Sequence, residues 1–319
     1  MTHTLLTVEC GSIQSYIFSS NRLLENVGAS YLVAQATEGW ILEALSEAKL
    51  SHNMIDPKAA NPFADGHLFE DRTDWQAEVI YIGGGNAVIL FRDEGGARAF
   101  TEQLSKKALL KAPNLRLQVH SLSWDKAHMP LGKAVGKLRK TMKAAVSRQP
   151  ASPPLLGLGV TAVCQETGLP AAELVRVGDD RRYVSAEILA KRNAAEEAKR
   201  ELRKLLSEDR RDSHEFPDDL DDLGRSEGAR SYIAIVHADG NSIGEIISEI
   251  GEETDSKRYV ERIRAFSQAV KHISLKAMQA VVDLLVQKSI ESTAIQGTSA
   301  TGNLEFRPDD NQRTLLPIR

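Results

Sequence analysis

The residues with the clearest chemical potential lie between positions 235 and 244, which read IVHADGNSIG. Asp239 follows an apolar, β-branched run, and a helical pattern begins just after Gly240 and Asn241. A carboxylate there can hold a divalent cation, the glycine lets a phosphate approach the backbone, and the first N–H groups of the helix face that anion. The pattern therefore indicates half of a metal-triphosphate site.

An ordinary turn is the competing interpretation, because Asp, Gly and Asn dominate turns and helix starts. Under that interpretation Asn241 or Ser242 caps the helix, whereas in a nucleotide site they contact phosphate or ribose. His237 lies two residues before Asp239 and invites a role as general base. Strand alternation favours a packing or surface histidine instead, and phosphoryl transfer with two metal ions needs little from a protein base.

A β-rich start, a helical region up to about residue 48, a hairpin, a helix and a further strand fill the first 128 residues. The order β-α-β-β-α-β predicts a ferredoxin-like split unit with an antiparallel sheet. The hairpin reads AEVIYIGGGNAVILF and turns at Gly83, Gly84, Gly85 and Asn86. A strand rather than a helix follows this turn. The dinucleotide-binding fingerprint is therefore excluded, because its glycines must lie between a strand and a helix.

The rest of the chain is predicted to be mostly helical until a second strand-helix unit begins near position 229. Helices are expected over 129–148, which is rich in Lys and Arg, and over 185–206, which is expected to be exposed. The strongest strand pattern in the chain, at 231–238, leads into helices near 242–250 and 256–288 and a final strand start, RTLLPIR. Without a hairpin this second unit is expected to be incomplete.

Composition narrows the class of protein. The 319 residues are 42% hydrophobic and 26% charged with a formal net charge of −4, so attraction to nucleic acid must come from local patches. Two cysteines, Cys10 and Cys164, supply neither a disulfide framework nor a four-cysteine zinc site. The sequence shows no signal-peptide pattern and no run of roughly 20 apolar residues. We therefore expect a soluble, cytoplasmic protein with no membrane partner.

Five segments in the same order carry a family resemblance: GSIQSYIFSSNRL, GASYLV, YIGGGNAVILF, AIVHADGNSIG and LLPIR. Together they resemble the large palm-containing subunit of type III CRISPR effector complexes. The resemblance implies two packed palm domains, the second converting ATP into cyclic oligoadenylate with Mg²⁺ or Mn²⁺. It also implies other effector subunits and guide and target RNA as partners, because synthesis in that family starts when guide RNA meets target RNA.

The resemblance assigns roles to particular residues. Asp239 is expected to be the catalytic residue and metal ligand. Nucleotide-binding residues are expected at both glycine turns, namely Ala238, Gly240, Asn241, Ser242, Gly83, Gly84, Gly85 and Asn86. The first-strand acid of the first palm is Glu9, about one residue from the position expected for a ligand, and the hairpin there carries no carboxylate. The first palm is therefore expected to be non-catalytic. A tight turn without a ligand is the alternative for that hairpin.

The sequence departs from the family pattern in three places. The Gly-Gly-Asp-Asp hairpin of the second palm does not occur among the 319 residues, so only its first-strand acid can be carried over. No His-Asp dipeptide of an HD nuclease occurs either, and DNA cutting is expected to be absent. Cys164 is followed by Thr167 where a Cys-x-x-Cys pair needs its second cysteine, so no zinc is expected.

These observations lead to one predicted architecture and three hypotheses. The fold class is α+β, with two ferredoxin-like palm domains, the second incomplete, separated by a small mostly helical insert. The ranges are 1–128 for the first palm, 129–228 for the insert and 229–319 for the start of the second palm. The leading hypothesis is that the full protein is a nucleotidyltransferase or cyclase that makes oligoadenylate from ATP in antiviral defence. The alternatives are a non-catalytic palm-palm scaffold that binds the RNA complex and a stand-alone signalling cyclase outside CRISPR complexes.

Overall fold

A computed structural model describes residues 2–56, 62–147, 158–177, 180–224, 240–296 and 304–318. The fold mixes helix and sheet, which confirms the α+β class. The strands are β1 Thr2–Gly11, β2 Ala77–Gly83, β3 Asn86–Phe91, β4 Arg116–Asp125, β5 Ala171–Val177, β6 Asp180–Ser185, β7 His214–Glu215, β8 Ala294–Ile295, β9 Leu304–Glu305 and β10 Thr314–Leu315. The helices are α1 Ile13–Ile17, α2 Leu23–Thr37, α3 Gly39–Glu47, α4 Glu94–Lys111, α5 Leu131–Val146, α6 Ala186–Arg203, α7 Asp221–Gly224, α8 Ile243–Gly251 and α9 Ser256–Glu291. Among the described residues, no helix is long and apolar enough to span a membrane.

The main sheet has four strands in the order β2-β3-β1-β4, and every neighbouring pair is antiparallel. The predicted element order β-α-β-β-α-β is present, since α1 to α3 separate β1 from β2 and α4 separates β3 from β4. Leu5 of the central strand β1 lies opposite Leu90 on β3 and Leu122 on β4. Directly opposed residues share a face, so these three leucines mark one face of the sheet.

Helices cover both faces of this sheet. The face that carries Leu5 and Leu90 packs against α5, α8 and the start of α9, with Leu131, Ile250 and Val260 in one buried cluster. The opposite face packs against α4, where the rings of Phe91 and Phe100 lie 5.3 Å apart. Because both faces are covered, β1, β2 and β3 are almost continuously buried along their length, and β3 is apolar in five of its six residues.

The described chain forms two compact units. The first contains Met1–Ser19, Leu32–Ala190 and Gly240–Lys271, and the second contains Ser20–Tyr31, Lys191–Asp239 and His272–Arg319. The main sheet lies in the first unit, and the β7-β10 and β8-β9 pairs lie in the second. The division into the ranges 1–128, 129–228 and 229–319 stays a prediction.

The outer edge of the main sheet, at β2, is occupied by side chains. The side-chain amide of Asn53 binds both backbone groups of Val79, at 2.7 Å to the N–H and 3.0 Å to the carbonyl. From α9, Arg264 Nε donates to the Ile80 carbonyl at 3.0 Å. A bare edge strand presents unpaired N–H and C=O groups to other chains. These contacts pair the backbone groups of Val79 and Ile80 at this edge within the first unit.

Arg264 also pairs with a carboxylate that is fully buried. Its Nη2 donates to Oε1 of Glu78 at 3.0 Å, and the same oxygen lies 2.9 Å from His67 Nδ1. The other oxygen of Glu78 accepts from the Leu68 N–H at 2.8 Å. Three donors therefore compensate the removal of this carboxylate from water, which is the condition for keeping a charge in a protein core.

Replacing Arg264 with Gln is expected to lower the free energy of unfolding by about 3 kcal/mol, because the buried Glu78 would lose its cationic partner. Equilibrium urea denaturation measures this difference. Arg262→Gln is the matched control, because Arg262 is on the same helix and is itself exposed, with Glu249 and Glu253 as partners. Its replacement is expected to cost at most about 1 kcal/mol. Equal losses in the two variants would contradict the structural role of the Glu78–Arg264 pair.

In the second unit, α2 and α6 cross closely at Gly28. A Cβ atom built on Gly28 would lie 1.8 Å from the carbonyl oxygen of Lys191. The predicted helix over 185–206 is present, but its expected exposure is wrong, because Ala195 is fully buried. Glu25 of α2 is also buried and pairs with Arg192 Nη1 at 3.2 Å. Packing against a helix distant in sequence thus buries a face of α6.

The core of the second unit is a separate apolar cluster formed by Leu206, Phe216, Val282 and Leu316. The acidic segment FPDDLDDLG at 216–224 begins with this buried Phe216 and ends in the four-residue α7. Strand β7 pairs in parallel with β10, which confirms the predicted strand start in RTLLPIR over two residues.

Gly28→Ala is expected to destabilise the protein by about 1 to 3 kcal/mol, because the added methyl group has to displace the backbone of α6. The control is Gly136→Ala in α5, where a Cβ would meet nothing within 4 Å. That control should be stabilising by about 0.5 to 1 kcal/mol, since alanine is the better helix former. Thermal unfolding followed by circular dichroism compares the two, and a neutral Gly28→Ala would refute the tight crossing.

Candidate functional site

The residues predicted for the nucleotide site are only partly described by the structure. Ala238 and Asp239 lie outside the described residues, as does His237. Gly240, Asn241 and Ser242 are described at the start of α8, and the Gly83 to Asn86 turn is described between β2 and β3. Both described groups belong to the first unit.

Ser242 precedes α8 in a left-handed conformation, with φ 59° and ψ 15°. Its side chain makes no capping hydrogen bond, so the alternative in which Ser242 caps the helix through its hydroxyl is wrong. The Ser242 carbonyl accepts from the Ile246 N–H at 3.0 Å, which closes the first helical turn. The N–H groups ahead of Ile246 have no intrahelical acceptor, which makes a helix start suitable for an anion.

The start of α1 has the same local structure. Ser12 is left-handed with φ 53° and ψ 39°, makes no side-chain cap, and accepts from the Tyr16 N–H at 3.0 Å. In both places isoleucine follows the serine, and an acid lies three residues before it, Glu9 in one case and Asp239 in the other. The shared Ser-Ile pair is the sequence signal for this repeat. The left-handed serine is not visible in the sequence, because serine seldom adopts positive φ.

The glycine hairpin is a tight turn with an open outer side. Gly84 and Gly85 have φ of 61° and 78°, and positive φ at both central residues is what a type I′ turn requires. Asn86 Nδ2 donates to the Gly84 carbonyl at 3.0 Å. A Cβ on Gly84 would meet nothing within 4 Å, whereas one on Gly85 would lie 2.8 Å from Ile13 Cδ1. The backbone at Gly84 is therefore accessible to a ligand.

Three polar side chains lie beside this hairpin, on the face of the sheet that carries Leu5. Glu9 is directly opposite Asn86 on β3 and Gln118 on β4, so the three side chains leave the sheet on one side. Burial raises the pKa of the neighbouring Tyr81, Arg139 opposes this shift and Glu9 adds to it. Arg139 also donates a hydrogen bond to the Tyr81 hydroxyl. The cationic Arg139 and the anionic Glu9 thus both act electrostatically on Tyr81 near the turn.

The cysteines and the described acidic residues do not assemble a metal site. Within the described ranges, no group of three or more His, Cys, Asp and Glu side chains is placed to hold a metal ion. Cys164 Sγ donates to Glu166 Oε2 at 3.3 Å. Burial raises the pKa of Cys10 to about 12, and Glu9 adds to the shift, so that thiol keeps its proton.

No protein-family model and no curated protein matches the chain. Matches were found among solved structures. A chain of the Csm1-Csm4 cassette in complex with cA3 is 16% identical, with a TM-score of 0.32, over 57% of this chain and 25% of its own length. A chain of the Type III-B Cmr-beta complex in the apo state is 12% identical, with a TM-score of 0.39, over 78% of this chain and 36% of its own length. The apo Csm1-Csm4 cassette gives 16% identity and a TM-score of 0.29 over 57% and 25%.

These neighbours come from type III CRISPR effector complexes, the kind of assembly that the sequence resembles. The chain spans between a quarter and about a third of their length, as the shares of 25% and 36% show. At these identities and TM-scores the likeness carries no residue roles over to this chain.

Alanine at Gly85 and at Gly84 should have different effects, although both residues have positive φ. Gly84→Ala is expected to cost about 1 kcal/mol for the backbone conformation alone. Gly85→Ala is expected to cost about 1 to 3 kcal/mol more, because its Cβ would clash with Ile13 in α1. Urea denaturation of both variants measures the difference. An equal loss of stability would mean that Ile13 moves aside freely.

Proposed function

We propose that this chain is part of the large palm-containing subunit of a type III CRISPR effector complex, whose second palm makes linear or cyclic oligoadenylate from ATP. The observation that carries the proposal is the Asp239-Gly240-Asn241 sequence directly ahead of α8, a helix whose start is not capped by the Ser242 hydroxyl. A carboxylate, a glycine and free helical N–H groups are the parts that a metal-triphosphate site needs.

The donor set fits Mg²⁺ or Mn²⁺, which prefer oxygen ligands. Asp239 and the backbone carbonyl of Ala238 would hold the metal ion, and such an ion neutralises triphosphate charge and activates the attacking hydroxyl. Gly240 allows the phosphates to approach the backbone, and the first N–H groups of α8 bind an oxygen of the triphosphate. Asn241 and Ser242 are assigned to phosphate or ribose.

The proposed architecture consists of two ferredoxin-like palms, of which the second is incomplete in these residues, with a helical insert between them. The β2-β3-β1-β4 sheet with its glycine hairpin is the first palm in this proposal. The open backbone at Gly84 lets a base or phosphate lie against Gly83, Gly85 and Asn86. The missing carboxylate in this hairpin favours a nucleotide-holding role over a catalytic one.

Antiviral defence is the proposed biological role. The proposed partners are ATP, the other effector subunits, and guide and target RNA, with the complex in the cytoplasm. The neighbours from the Csm1-Csm4 cassette and the Cmr-beta complex support an assembly of several subunits.

A non-catalytic scaffold is the second candidate, and one surface favours it. Helix α5 exposes Lys137, Lys140 and Lys143, and none of them forms an ion pair with a described residue. Unpaired lysines along one helix attract a phosphate backbone, and binding of that kind weakens steeply with added salt. RNA binding with strong salt dependence and no nucleotide turnover would favour this role.

Asp239→Asn should reduce oligoadenylate formation at least about 100-fold, because loss of the metal ligand removes several kcal/mol of charge stabilisation in the transition state. Chromatography of ATP reactions with Mg²⁺ or Mn²⁺ measures the products, using the full natural protein with guide and target RNA. The matched control is Glu102→Gln, an exposed carboxylate on α4, which should retain full synthesis. Undiminished synthesis by Asp239→Asn would reject the catalytic assignment, and no product from the native protein would support the scaffold.

A further inference from the structure

A second concave site lies in the first unit, away from the glycine hairpin. The loop at 63–71 and the part of α9 at 257–268 enclose a cavity of about 530 Å³. Its charged or titratable lining residues are Asp65, His67, Asp71, Lys257, Glu261 and Arg264. Glu78, to which this lining is bonded, is near the start of β2, whereas the hairpin follows the end of that strand. We propose that this cavity binds an alkylammonium group.

The first argument is the buried imidazole of His67, which is 5% exposed. Its Nδ1 lies 2.9 Å from Oε1 of Glu78, a carboxylate that also accepts from the Leu68 N–H and from Arg264. An ionised carboxylate only accepts, so Nδ1 carries the proton and donates it. In the tautomer that carries its proton on Nδ1, the acceptor of the imidazole is Nε2. Nε2 has no hydrogen-bond partner among the described residues, and His67 is one of the residues that line the cavity.

The second argument is the charge balance of the wall. Arg264 is bound to Glu78, so these two charges compensate each other. The remaining charged groups are the carboxylates of Asp65, Asp71 and Glu261 and the ammonium of Lys257, which leaves two net negative charges. Burial lowers the pKa of Arg264, and the carboxylates of Glu78, Asp65 and Glu261 oppose that shift, so Asp65 and Glu261 act electrostatically on another residue of the same wall. A cationic ligand is favoured over an anionic one.

The third argument is the type of cation. Within the described part of the chain, the acidic and histidine side chains are not placed to coordinate a metal ion directly. The wall combines the buried His67 with the exposed carboxylates of Asp65, Asp71 and Glu261, and Phe63 and Ala265 also line it. A primary ammonium has three donors and an apolar stem, so it can bond several acceptors while its methylene groups contact the apolar wall. A free diamine and a lysine side chain of a bound peptide share this chemistry.

Calorimetric titration of the intact protein with putrescine and with spermidine tests the site. The matched ligand control is N,N′-diacetylputrescine, which keeps the carbon chain but has no charge. We expect saturable binding of the amines, no binding of the acetylated control, and about tenfold weaker binding for Glu261→Gln and for Asp65→Asn. Glu102→Gln, which removes a carboxylate outside the cavity, should bind like the native protein.

A second measurement separates binding at this cavity from general attraction to an acidic surface. In the native protein, amine binding should shift the NMR signals of the His67 ring, which is buried and lines the cavity. Saturable binding of a lysine-containing peptide without binding of free diamines would support the site with a peptide as the source of the ammonium. The proposal is overturned if neither amines nor that peptide bind saturably, or if Glu261→Gln and Glu102→Gln bind equally. Circular dichroism confirms that each variant is folded.

Discussion

The buried carboxylate of Glu78 is the interaction on which the arrangement of the first unit depends. Its oxygens accept from the Leu68 N–H, the ring of His67 and the guanidinium of Arg264, so a strand, a loop and a helix meet at one side chain. A fully buried charge is tolerated only when such partners replace water. The loop at 63–71 and the start of α9 are consequently held against the edge of the sheet.

This anchoring has consequences along the whole of β2. Arg264 also binds the carbonyls of Val79 and Ile80, and Ser267 donates to the Ile82 carbonyl at 3.2 Å, one turn further along α9. The helix thereby follows the edge strand as far as the glycine hairpin. An edge that is covered in this way is protected from pairing with other chains, and the turn at its end keeps a fixed position. The contacts that α9 makes with β2 therefore both stabilise the edge strand and fix the position of the glycine hairpin.

The helix starts after Ser12 and Ser242 relate the fold to the proposed function. Ser12 and Ser242 both adopt left-handed conformations directly before a helix, and neither hydroxyl caps that helix. This left-handed conformation costs an ordinary residue roughly 1 kcal/mol, and it occurs twice in the same Ser-Ile context. Under the proposed function, the conformation of Ser242 leaves N–H groups available to phosphate at the start of α8.

The sequence by itself determined the local elements of the first 128 residues. Alternating and continuous apolar runs placed β1 to β4, and adjacent glycines placed the hairpin, because only residues that tolerate positive φ fit a type I′ turn. The helices α5, α8 and α9 were also predicted, and for α9 the basis was apolar residues at i, i+3 and i+4 spacing. These features depend on residues that are neighbours along the chain.

Only the tertiary structure decided which faces are covered. The sequence of α6 does not predict that Ala195 is buried, because its burial depends on packing against a helix far away in sequence. The pairing of Glu78 with Arg264 joins residues 186 positions apart, and the cavity beside them exists only once both segments have folded. Such long-range contacts leave no periodic signal, since each partner alone reads as an ordinary charged residue.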